Sequence, residues 1–324
     1  MKKNVAVVWG GYSSEIIVSE KSMAGVCSFL DKTRYNIFEV KLDRHEWTVN
    51  VGGEAYPVDK NDFSYTTAGG KTKFDYAFII IHGTPGEDGR LQGYLDMLGI
   101  PYSCCGVMAS ALTFNKFICN NYLKSFGLKV ADSVRLTAQD RYDVAEIGSR
   151  LGFPVFVKPN VGGSSFATTK VKTQDGLQSA INEAFEEAEE VIIESFISGT
   201  EVTCGCYKID GVETIFPLTE VVTDNEFFDY NAKYNGQVDE ITPARISDQL
   251  TQQIKSMTSR IYDLVGAKGI IRVDYIVSGE VPFLLEVNTT PGMTLTSFIP
   301  QQIKAAGLNI TDVLTEIIEN RKIG

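Results

Sequence analysis

Two acidic residues and an arginine stand at alternating positions in segments 269–277 and 282–288, which we predict to be neighbouring strands. Successive side chains of a strand point to opposite faces, so Arg272 and Asp274 share a face. If the two strands form a hairpin, Asp274 lies across from Glu286. Like charges at opposed positions are unfavourable unless a cation lies between them. The pattern therefore predicts a cation site on this hairpin.

The second strand adds an amide to the same site. Strict alternation groups Leu284, Glu286 and Asn288 on one face. Carboxylate and amide oxygens suit Mg²⁺ and leave room for phosphate oxygens. A solvated polar face of an edge hairpin is the alternative. The apolar opposite face favours the metal site, and so does the turn 289–293, which leads into a helix whose N–H groups can meet an anion.

A glycine-rich loop offers phosphate chemistry elsewhere in the chain. Lys158 ends an apolar strand that begins at Pro154, and the loop 160–166 follows with two glycines and two serines. Glycines let backbone N–H groups form an anion-binding concavity, and serine hydroxyls add donors. The residue order is neither a Walker A loop nor a dinucleotide fingerprint. The loop is therefore open to two interpretations, a phosphate site or a flexible surface turn.

The elements that must position these residues alternate in the α/β manner over the first hundred residues. Residues 4–9 form an apolar strand, a glycine turn follows, and a helix extends to about Phe29. Residues 74–81 form a second buried strand that leads into a helix over 88–98. This order predicts a doubly wound parallel sheet, in which ligands bind at the carboxyl ends of the strands. Two polar residues fall at these ends: Glu15 and His82.

From about residue 106 the pattern changes to mixed helices and strands, with seams near 100–106 and 198–200. Predicted helices cover 107–126, 138–151, 174–188 and 247–265, and two more close the chain. Predicted strands cover 154–158, 167–172, 191–194, 201–222 and the two strands of the carboxylate hairpin. A polar loop over 223–240 separates these strands from the helix at 247.

Composition excludes several classes of protein. The 324 residues are 44% hydrophobic and 22% charged, which is typical of a globular chain with room for two or three domains. The net charge of −11 argues against a nucleic-acid or membrane-surface partner, because both are anionic. The six cysteines lack zinc-site spacing, so we expect small buried or semi-buried thiols in a reducing cytoplasm. The first apolar stretch is too short for a signal peptide.

Several short motifs follow one another along the chain. They include Gly10-Gly11-x-Ser13-x-Glu15, His82-Gly83-x-x-Gly86-Glu87-Asp88-Gly89, Lys158-Pro159-x-x-x-Gly163-Ser164-Ser165, Lys233-Tyr234, Arg272-x-Asp274 and Glu286-x-Asn288. Each motif alone is modest evidence, whereas their joint order and spacing are specific. Together they resemble the ATP-grasp superfamily and, within it, the D-alanine–D-alanine ligase family. The resemblance covers essentially the whole chain.

The resemblance implies an α/β protein with an ATP-grasp fold, in which an N-terminal doubly wound parallel-sheet domain precedes two further α+β domains. The implied boundaries are a substrate domain over 1–105, a central ATP-grasp subdomain over 106–199, and a catalytic subdomain over 200–324 with a lid loop over 223–240. The residues implied to bind ATP are Lys116, Lys158, Ser165, Glu194, Ser195, Ile197 and Glu201. The residues implied to hold two Mg²⁺ ions, or Mn²⁺, are Asp274, Glu286 and Asn288.

The resemblance also implies an ATP-dependent ligation of two D-alanine molecules for peptidoglycan precursors. One D-alanine carboxylate attacks the γ-phosphate to form an acyl phosphate, and the amine of a second D-alanine then displaces phosphate. The implied catalytic residues are Glu15, Ser164, Tyr234, Arg272 and Gly292. The implied substrate-binding residues are His82, Lys233 and Ser297. A homodimer is expected from the family alone.

Individual residues keep alternative explanations. Glu15 could occupy the first turn of a helix, His82 could be a core histidine, and Lys116 could be a solvated helix lysine. Ile16-Ile17 replaces a charged or polar pair usual in the family, which leaves the amino-acid preference open. Asn115 stands where aspartate is usual, and Ser195 where lysine is frequent, and both should tune ATP affinity.

Three other functions compete with D-alanine ligation. The first is a related ligase whose second substrate is D-serine or D-lactate, and the Lys233-Tyr234 pair argues against D-lactate. The second is another ATP-grasp enzyme such as a carboxylase component, for which no biotin-carrier signature is present. The third is a nucleotide-binding regulator without catalysis, which would lack a metal ligand or Arg272.

Overall fold

The computed structural model describes residues 2–13, 15–163, 167–223 and 238–320. Within these residues a seven-stranded sheet, a four-stranded sheet and a six-stranded sheet follow one another along the chain. Helices pack against each of them, so the predicted α/β class is confirmed.

The first sheet is built around a strand whose residues 5–8 are fully buried. Its strands are β1 (Lys3–Gly10), β2 (Tyr35–Leu42), β3 (Trp47–Val51), β4 (Glu54–Asp59), β5 (Ser64–Thr67), β6 (Gly70–Lys73) and β7 (Tyr76–Ile79). β1 pairs in parallel with β7, as predicted, and also with β2, which was not predicted, whereas β3 to β6 extend the sheet as antiparallel hairpins. The sheet is therefore parallel only in part, and the doubly wound prediction omitted five of its strands, β2 to β6. Helices α1 (Ile16–Phe29) and α2 (Arg90–Leu98) follow β1 and β7.

The second sheet is antiparallel throughout, with the order β10-β9-β11-β8. Its strands are β8 (Ser133–Thr137), β9 (Val155–Pro159), β10 (Thr169–Val171) and β11 (Glu190–Ser195). The helices of this part of the chain are α3 (Val107–Phe114), α4 (Lys116–Ser125), α5 (Val144–Leu151) and α6 (Leu177–Glu187). The helix predicted over 107–126 is thus interrupted at Asn115, whose side chain caps α4 by accepting from the Ile118 N–H at 2.9 Å. This break places Lys116 in the first turn of α4.

The third sheet has the order β15-β14-β12-β16-β17, with β13 paired to β12. Its strands are β12 (Thr200–Ile209), β13 (Val212–Ile215), β14 (Thr219–Thr223), β15 (Val238–Ile241), β16 (Ile271–Ser278) and β17 (Val281–Asn288). The remaining helices are α7 (Asp248–Leu264), α8 (Phe298–Ala305) and α9 (Ile310–Asn320). β14 and β15 pair with each other, so the flanks of the predicted loop 223–240 are strands. Residues 224–237 lie outside the described residues.

The carboxylate hairpin forms with the predicted register, because Asp274 is paired with Glu286. The next residue, Tyr275, is paired with Leu284, so Leu285 is an extra residue in a β-bulge. A bulge reverses the side-chain alternation beyond it. The prediction that Leu284 shares a face with Glu286 is therefore wrong, and Leu284 is buried in the same core as Val287.

The first and last parts of the chain share one hydrophobic core. Val26 of α1 and Leu314 of α9 belong to it, and both are fully buried. Gly25 allows α1 to approach the turn before α8, since a Cβ at this position would lie 2.1 Å from the Met293 carbonyl oxygen. This packing brings the Glu15 end of the first sheet to the turn that contains Gly292.

All six cysteines are free thiols, of which five are buried, as expected from their spacing. None of the helices in the described part of the chain combines the length and the apolar character that a membrane crossing requires.

Candidate active site

A cleft of about 1250 Å³ is lined by strand residues of the second and third sheets and by the segments that follow β1 and β7 of the first sheet. It contains every predicted site residue that the structure describes: Glu15, His82, Lys116, Lys158, Glu194, Ser195, Ile197, Glu201, Arg272, Asp274, Glu286, Asn288, Gly292 and Ser297. The other four lie outside the described residues: Ser164, Ser165, Lys233 and Tyr234.

Asp274 is surrounded by donors on the face that was predicted to bind a cation. The Arg272 guanidinium donates to both of its carboxylate oxygens, from Nε at 2.9 Å and from Nη2 at 2.8 Å. The Asn288 amide donates to the same carboxylate at 3.0 Å. Burial alone would lower the pKa of Arg272, but the Asp274 carboxylate raises it above its ordinary value, so the guanidinium stays charged. Asp274 is only 5% exposed, which contradicts a solvated polar face.

The hairpin residues fit the donor set that Mg²⁺ requires. Asp274 and Glu286 are directly opposed, and Asn288 is paired with Arg272 two positions further along the ladder. The groups available to bind a metal ion are two carboxylates and one amide oxygen, all hard oxygen ligands. Within the described part of the chain no three His, Cys, Asp or Glu side chains form a metal-binding group. A metal at this hairpin therefore needs the Asn288 oxygen and oxygens from a bound phosphate.

Two lysines line the cleft with the hairpin. Lys158 of β9 places Nζ 2.6 Å from a carboxylate oxygen of Glu194 on β11. Burial would lower the pKa of Lys158, but the Glu194 carboxylate outweighs this effect and raises it. Lys116 Nζ donates to the Gly162 carbonyl oxygen and lies 4.0 Å from Glu286. Burial lowers the pKa of Lys116 although the Glu286 charge opposes that shift. Its side chain is 11% exposed, so the alternative of a solvated helix lysine is wrong.

An aromatic pair that was not predicted lines the cleft beside Glu194. The ring centroids of Phe156 and Phe196 are 5.8 Å apart, and Lys170 Nζ lies 3.9 Å from the Phe196 centroid. Their signal was present in the sequence. Phe156 precedes Lys158 by two residues on β9, and side chains two residues apart on a strand share a face. Phe196 follows Glu194 by two residues and lies directly after the end of β11.

Glu15 lies at the first-sheet end of the cleft and is buried. It occupies the N-cap position of α1, so the alternative of a residue that serves the start of that helix stays open beside a role in the cleft. Gly163 of the glycine-rich loop lies against it, because a Cβ on Gly163 would be 2.9 Å from the Glu15 Oε1 atom. The loop that was predicted to bind phosphate therefore also reaches the Glu15 carboxylate, a candidate substrate-binding group.

His82 connects α1 to the turn before α8. Its Nε2 atom is 3.3 Å from Ser22 Oγ, and the Met293 N–H donates to the same hydroxyl at 3.4 Å. Burial lowers the pKa of His82 to about 4, and the Arg272 charge acts in the same direction. The imidazole is therefore neutral near pH 7. It is buried, contacts a side-chain hydroxyl and lines the cleft, so both a core role and a site role stay open for it.

Glu87 lines the same end of the cleft and was not predicted as a site residue. It accepts the Gly83 N–H at 2.6 Å. Loss of hydration raises the pKa of Glu87 to about 8, and the neighbouring Glu15 carboxylate adds to the shift. Its signal was its place in the glycine-rich segment that begins at His82.

Gly292 and Ser297 lie close together in the turn before α8. A Cβ on Gly292 would lie 3.0 Å from Ser297 Oγ, and the Thr294 N–H donates to that hydroxyl at 3.0 Å. Arg272 lies 5.3 Å from the centroid of the Phe298 ring, the next residue after Ser297. A guanidinium, a backbone N–H and a hydroxyl therefore share one end of the cleft.

The fold and the residues that line the cleft define the class of protein. A lysine-bearing antiparallel sheet that faces a carboxylate hairpin on a second antiparallel sheet is the arrangement of an ATP-grasp enzyme. The family models described as "D-ala D-ala ligase N-terminus" and "D-ala D-ala ligase C-terminus" match residues 4–105 and 122–319. The chain therefore belongs to the D-alanine–D-alanine ligase family, and it is an ATP-dependent ligase that joins two D-alanine molecules.

Individual relatives agree with this assignment. A D-alanine–D-alanine ligase of Parabacteroides distasonis is 62% identical over 323 residues, which cover 99% of this chain and 98% of the relative. The VanG D-Ala:D-Ser ligase of Enterococcus faecalis has a similar structure, with a TM-score of 0.87, 31% identity and 98% of both chains covered. The Bacillus anthracis D-alanine–D-alanine ligase, solved as a complex with ATP, gives a TM-score of 0.79 at 30% identity and covers 98% of this chain and 97% of that chain.

Proposed function

We propose that the cleft performs the ligation in two steps through an acyl phosphate of the first D-alanine. The observation that carries this proposal is the meeting, in one cleft, of two lysines, an opposed carboxylate pair and Glu15. The lysines and the carboxylate pair suit the nucleotide phosphates, and Glu15 suits an amino acid. Transfer of a phosphoryl group from the nucleotide to the amino acid requires that the phosphate-binding residues and Glu15 lie close together.

In this proposal ATP lies between the second and third sheets. Lys116 and Lys158 meet the phosphates, and the Ser165 loop closes over them. The adenine lies against the Phe156–Phe196 pair, because flat apolar rings suit an aromatic base. Its edge meets Glu194 and the backbone of 195–197, and the ribose hydroxyls meet Glu201. The support is that all described members of this set line the cleft.

Asp274, Glu286 and Asn288 are proposed to hold two Mg²⁺ ions, which Mn²⁺ could replace. The bound ions would supply charge neutralisation for the β- and γ-phosphates. A cation held there would compete with the two hydrogen bonds that Arg272 donates to Asp274, and Arg272 would then be available to the substrate. The support for this site is that all three side chains line the cleft and that Asp274 and Glu286 are directly opposed on the hairpin.

Glu15 is proposed to pair with the ammonium group of the first D-alanine. The substrate carboxylate then attacks the γ-phosphorus, and ADP leaves. In the second step the free amine of the second D-alanine attacks the acyl carbon, and the intermediate carries an oxyanion. Arg272 and the Gly292 N–H stabilise this charge. Phosphate then leaves and accepts the proton that the nitrogen releases, so that a neutral amide remains.

The second D-alanine carboxylate is proposed to meet Ser297 and Lys233, while His82 lies close to the first substrate. Ser164 and Tyr234 would hold Glu15 and the phosphate loop in a closed state. Ser164, Tyr234 and Lys233 lie outside the described residues, so these three roles stay predictions. The segment 223–240 is proposed to exclude water from the acyl phosphate as a lid.

We also propose the domain division 1–105, 106–199 and 200–324, a homodimer, and a cytoplasmic location. The three sheets support the division, because the strands of each lie within one of these ranges. The free thiols support a reducing compartment.

The alternative of D-serine or D-lactate as second substrate is not favoured. The relative at 62% identity carries the D-alanine–D-alanine ligase name, whereas the D-Ala:D-Ser ligase is only 31% identical.

The test is phosphate release with ATP, Mg²⁺ and D-alanine, repeated with L-alanine and with D-serine or D-lactate as second substrate. We expect release that depends on D-alanine and a dipeptide product detected by mass spectrometry. ATP hydrolysis that does not respond to D-alanine would refute the proposal.

A further inference from the structure

Asn160, the first residue of the glycine-rich loop, is fully buried, and each of its polar groups has a partner. Its backbone N–H donates to the Glu190 carbonyl oxygen at 2.9 Å, and its carbonyl oxygen accepts the Lys116 N–H at 3.0 Å. Its side-chain oxygen accepts the Phe117 N–H at 2.9 Å, and its amide donates to the Glu190 carboxylate at 2.6 Å. Four bonds from one buried residue therefore join the loop to two other elements.

These bonds complete the N-terminus of α4. The first N–H groups of a helix have no partner within the helix. In α4 Asn160 satisfies the Lys116 and Phe117 groups, and Asn115 satisfies the Ile118 group. This helix end therefore has no free N–H among its first three for a phosphate. Its contribution to the cleft is the Lys116 side chain, and Asn160 holds the backbone from which that side chain extends.

Glu190 accepts hydrogen bonds from the side-chain amides of two residues that contact the start of α4, Asn115 and Asn160. Its carboxylate accepts from Asn160 at 2.6 Å and from Asn115 at 3.3 Å, and it also pairs with Arg135 at 2.8 Å. Glu190 lies on β11, four residues before Glu194, which pairs with Lys158. Asn115 can donate to this carboxylate, whereas the aspartate expected at that position would repel it. The Asn115–Asn160–Glu190 cluster thus joins three elements that each supply a cleft residue.

We propose that Asn160 is a positioning residue that sets the distance between Lys116 and Lys158, and that Glu190 orients it. Lys158 lies on β9, two residues before Asn160, and the backbone N–H of Lys116 donates to the Asn160 carbonyl oxygen. A displaced Asn160 moves one lysine relative to the other, and two cations that neutralise one triphosphate must be correctly spaced. Because both lysines are proposed phosphate ligands, the role of Asn160 rests on the proposed function.

The test exploits the polarity of the Asn160–Glu190 bond. Asn160→Asp keeps the shape and the acceptor for Phe117 but places two carboxylates in contact. Glu190→Gln in the same chain restores a donor–acceptor pair in the opposite direction. Binding of ADP with Mg²⁺ is measured by calorimetry without D-alanine, together with kcat, KM for ATP and the thermal midpoint. Asn182→Asp, an exposed position on α6, is the matched charge control.

We expect Asn160→Asp to weaken ADP binding and raise KM for ATP by about tenfold, a change that corresponds to about 1.4 kcal/mol. The double variant should recover a substantial part of that loss, and Asn182→Asp should match the wild type. Asn160→Ser removes the amide donor without adding charge. It replaces Asn160→Asp in the binding and kinetic measurements if Asn160→Asp does not fold. We expect it to shift KM in the same direction by a smaller factor.

Two outcomes would overturn the role of Asn160. One is a nucleotide affinity unchanged in the folded variants, since a purely structural residue alters the amount of active enzyme but leaves KM unchanged. The other is a double variant that binds ADP no better than Asn160→Asp. A wild type that binds ADP but shows no D-alanine-dependent phosphate release would refute the proposed function alone, and the binding data would still decide Asn160.

Discussion

Lys158 and Glu194 form a buried ion pair across β9 and β11, with 2.6 Å between the ammonium and the carboxylate. Removal of one partner leaves the other charge buried and unpaired. We expect Glu194→Gln to raise KM for ATP by about tenfold or more, because hydrogen bonds to charged groups contribute about 1.5–3 kcal/mol. Steady-state kinetics with varied ATP measures this effect. Glu189→Gln, an exposed neighbour, should behave as wild type, and equal KM values in both variants would contradict the proposed role of the pair.

The two carboxylates of the hairpin should differ in their effect on stability. Asp274→Asn and Glu286→Gln are both expected to reduce kcat by about a hundredfold or more, the scale seen when one transition-state contact is removed. Asp274→Asn should also lower the thermal midpoint, because Arg272 then loses its buried counter-ion. Mn²⁺ binding followed by electron paramagnetic resonance should weaken in both. The exposed Glu280→Gln is the control, and undiminished Mn²⁺ binding in the hairpin variants would refute the metal site.

A methyl group at Gly163 should impair the amino-acid site. The Cβ of Gly163→Ala would lie 2.9 Å from Glu15 Oε1, so the carboxylate must move. We expect a KM for D-alanine raised by about tenfold, because displacements near 1 Å are costly in a positioned site. Gly176→Ala places its Cβ in ordinary contact, 3.4 Å from Val171, and should leave the KM for D-alanine unchanged. If the two alanine variants have the same KM for D-alanine, Gly163 does not position Glu15.

Glu87 should make stability depend on pH. Its pKa is raised from an ordinary value of 4.5 to about 8 in the folded chain. Between these values the folded chain keeps a proton that the unfolded chain has lost, so the free energy of unfolding falls as pH rises through this window. Glu87→Gln removes that contribution, and its stability relative to wild type should rise from about pH 5 to about pH 8. Urea unfolding across this range measures the difference, with the exposed Glu186→Gln as control. A difference that is constant with pH would show that Glu87 titrates normally.

The long apolar runs made most elements predictable. β1 and the hairpin β16–β17 formed close to their expected bounds, because burial of one or both faces imposes a clear pattern on the sequence. The strands β2 to β6 and β8 were missed. Of these, β4 to β6 are short and polar, and such strands are held mainly by the ladder they join. The break at Asn115 also was not foreseen, although a capping residue inside an apolar helix was its signal.

The sequence by itself determined which chemistry this chain can carry and which residues face each other on the carboxylate hairpin. Both depend on side-chain type and on the local period of a strand. Only the tertiary structure decided what surrounds each group: Arg272 on Asp274, Glu15 beside Glu87, and the amide of Asn160 on Glu190. The physical reason is that hydration and electrostatic potential at a side chain depend on neighbours from distant segments. The bulge at Leu285 shows the same division, because one extra residue reversed an alternation that the local pattern had predicted to continue.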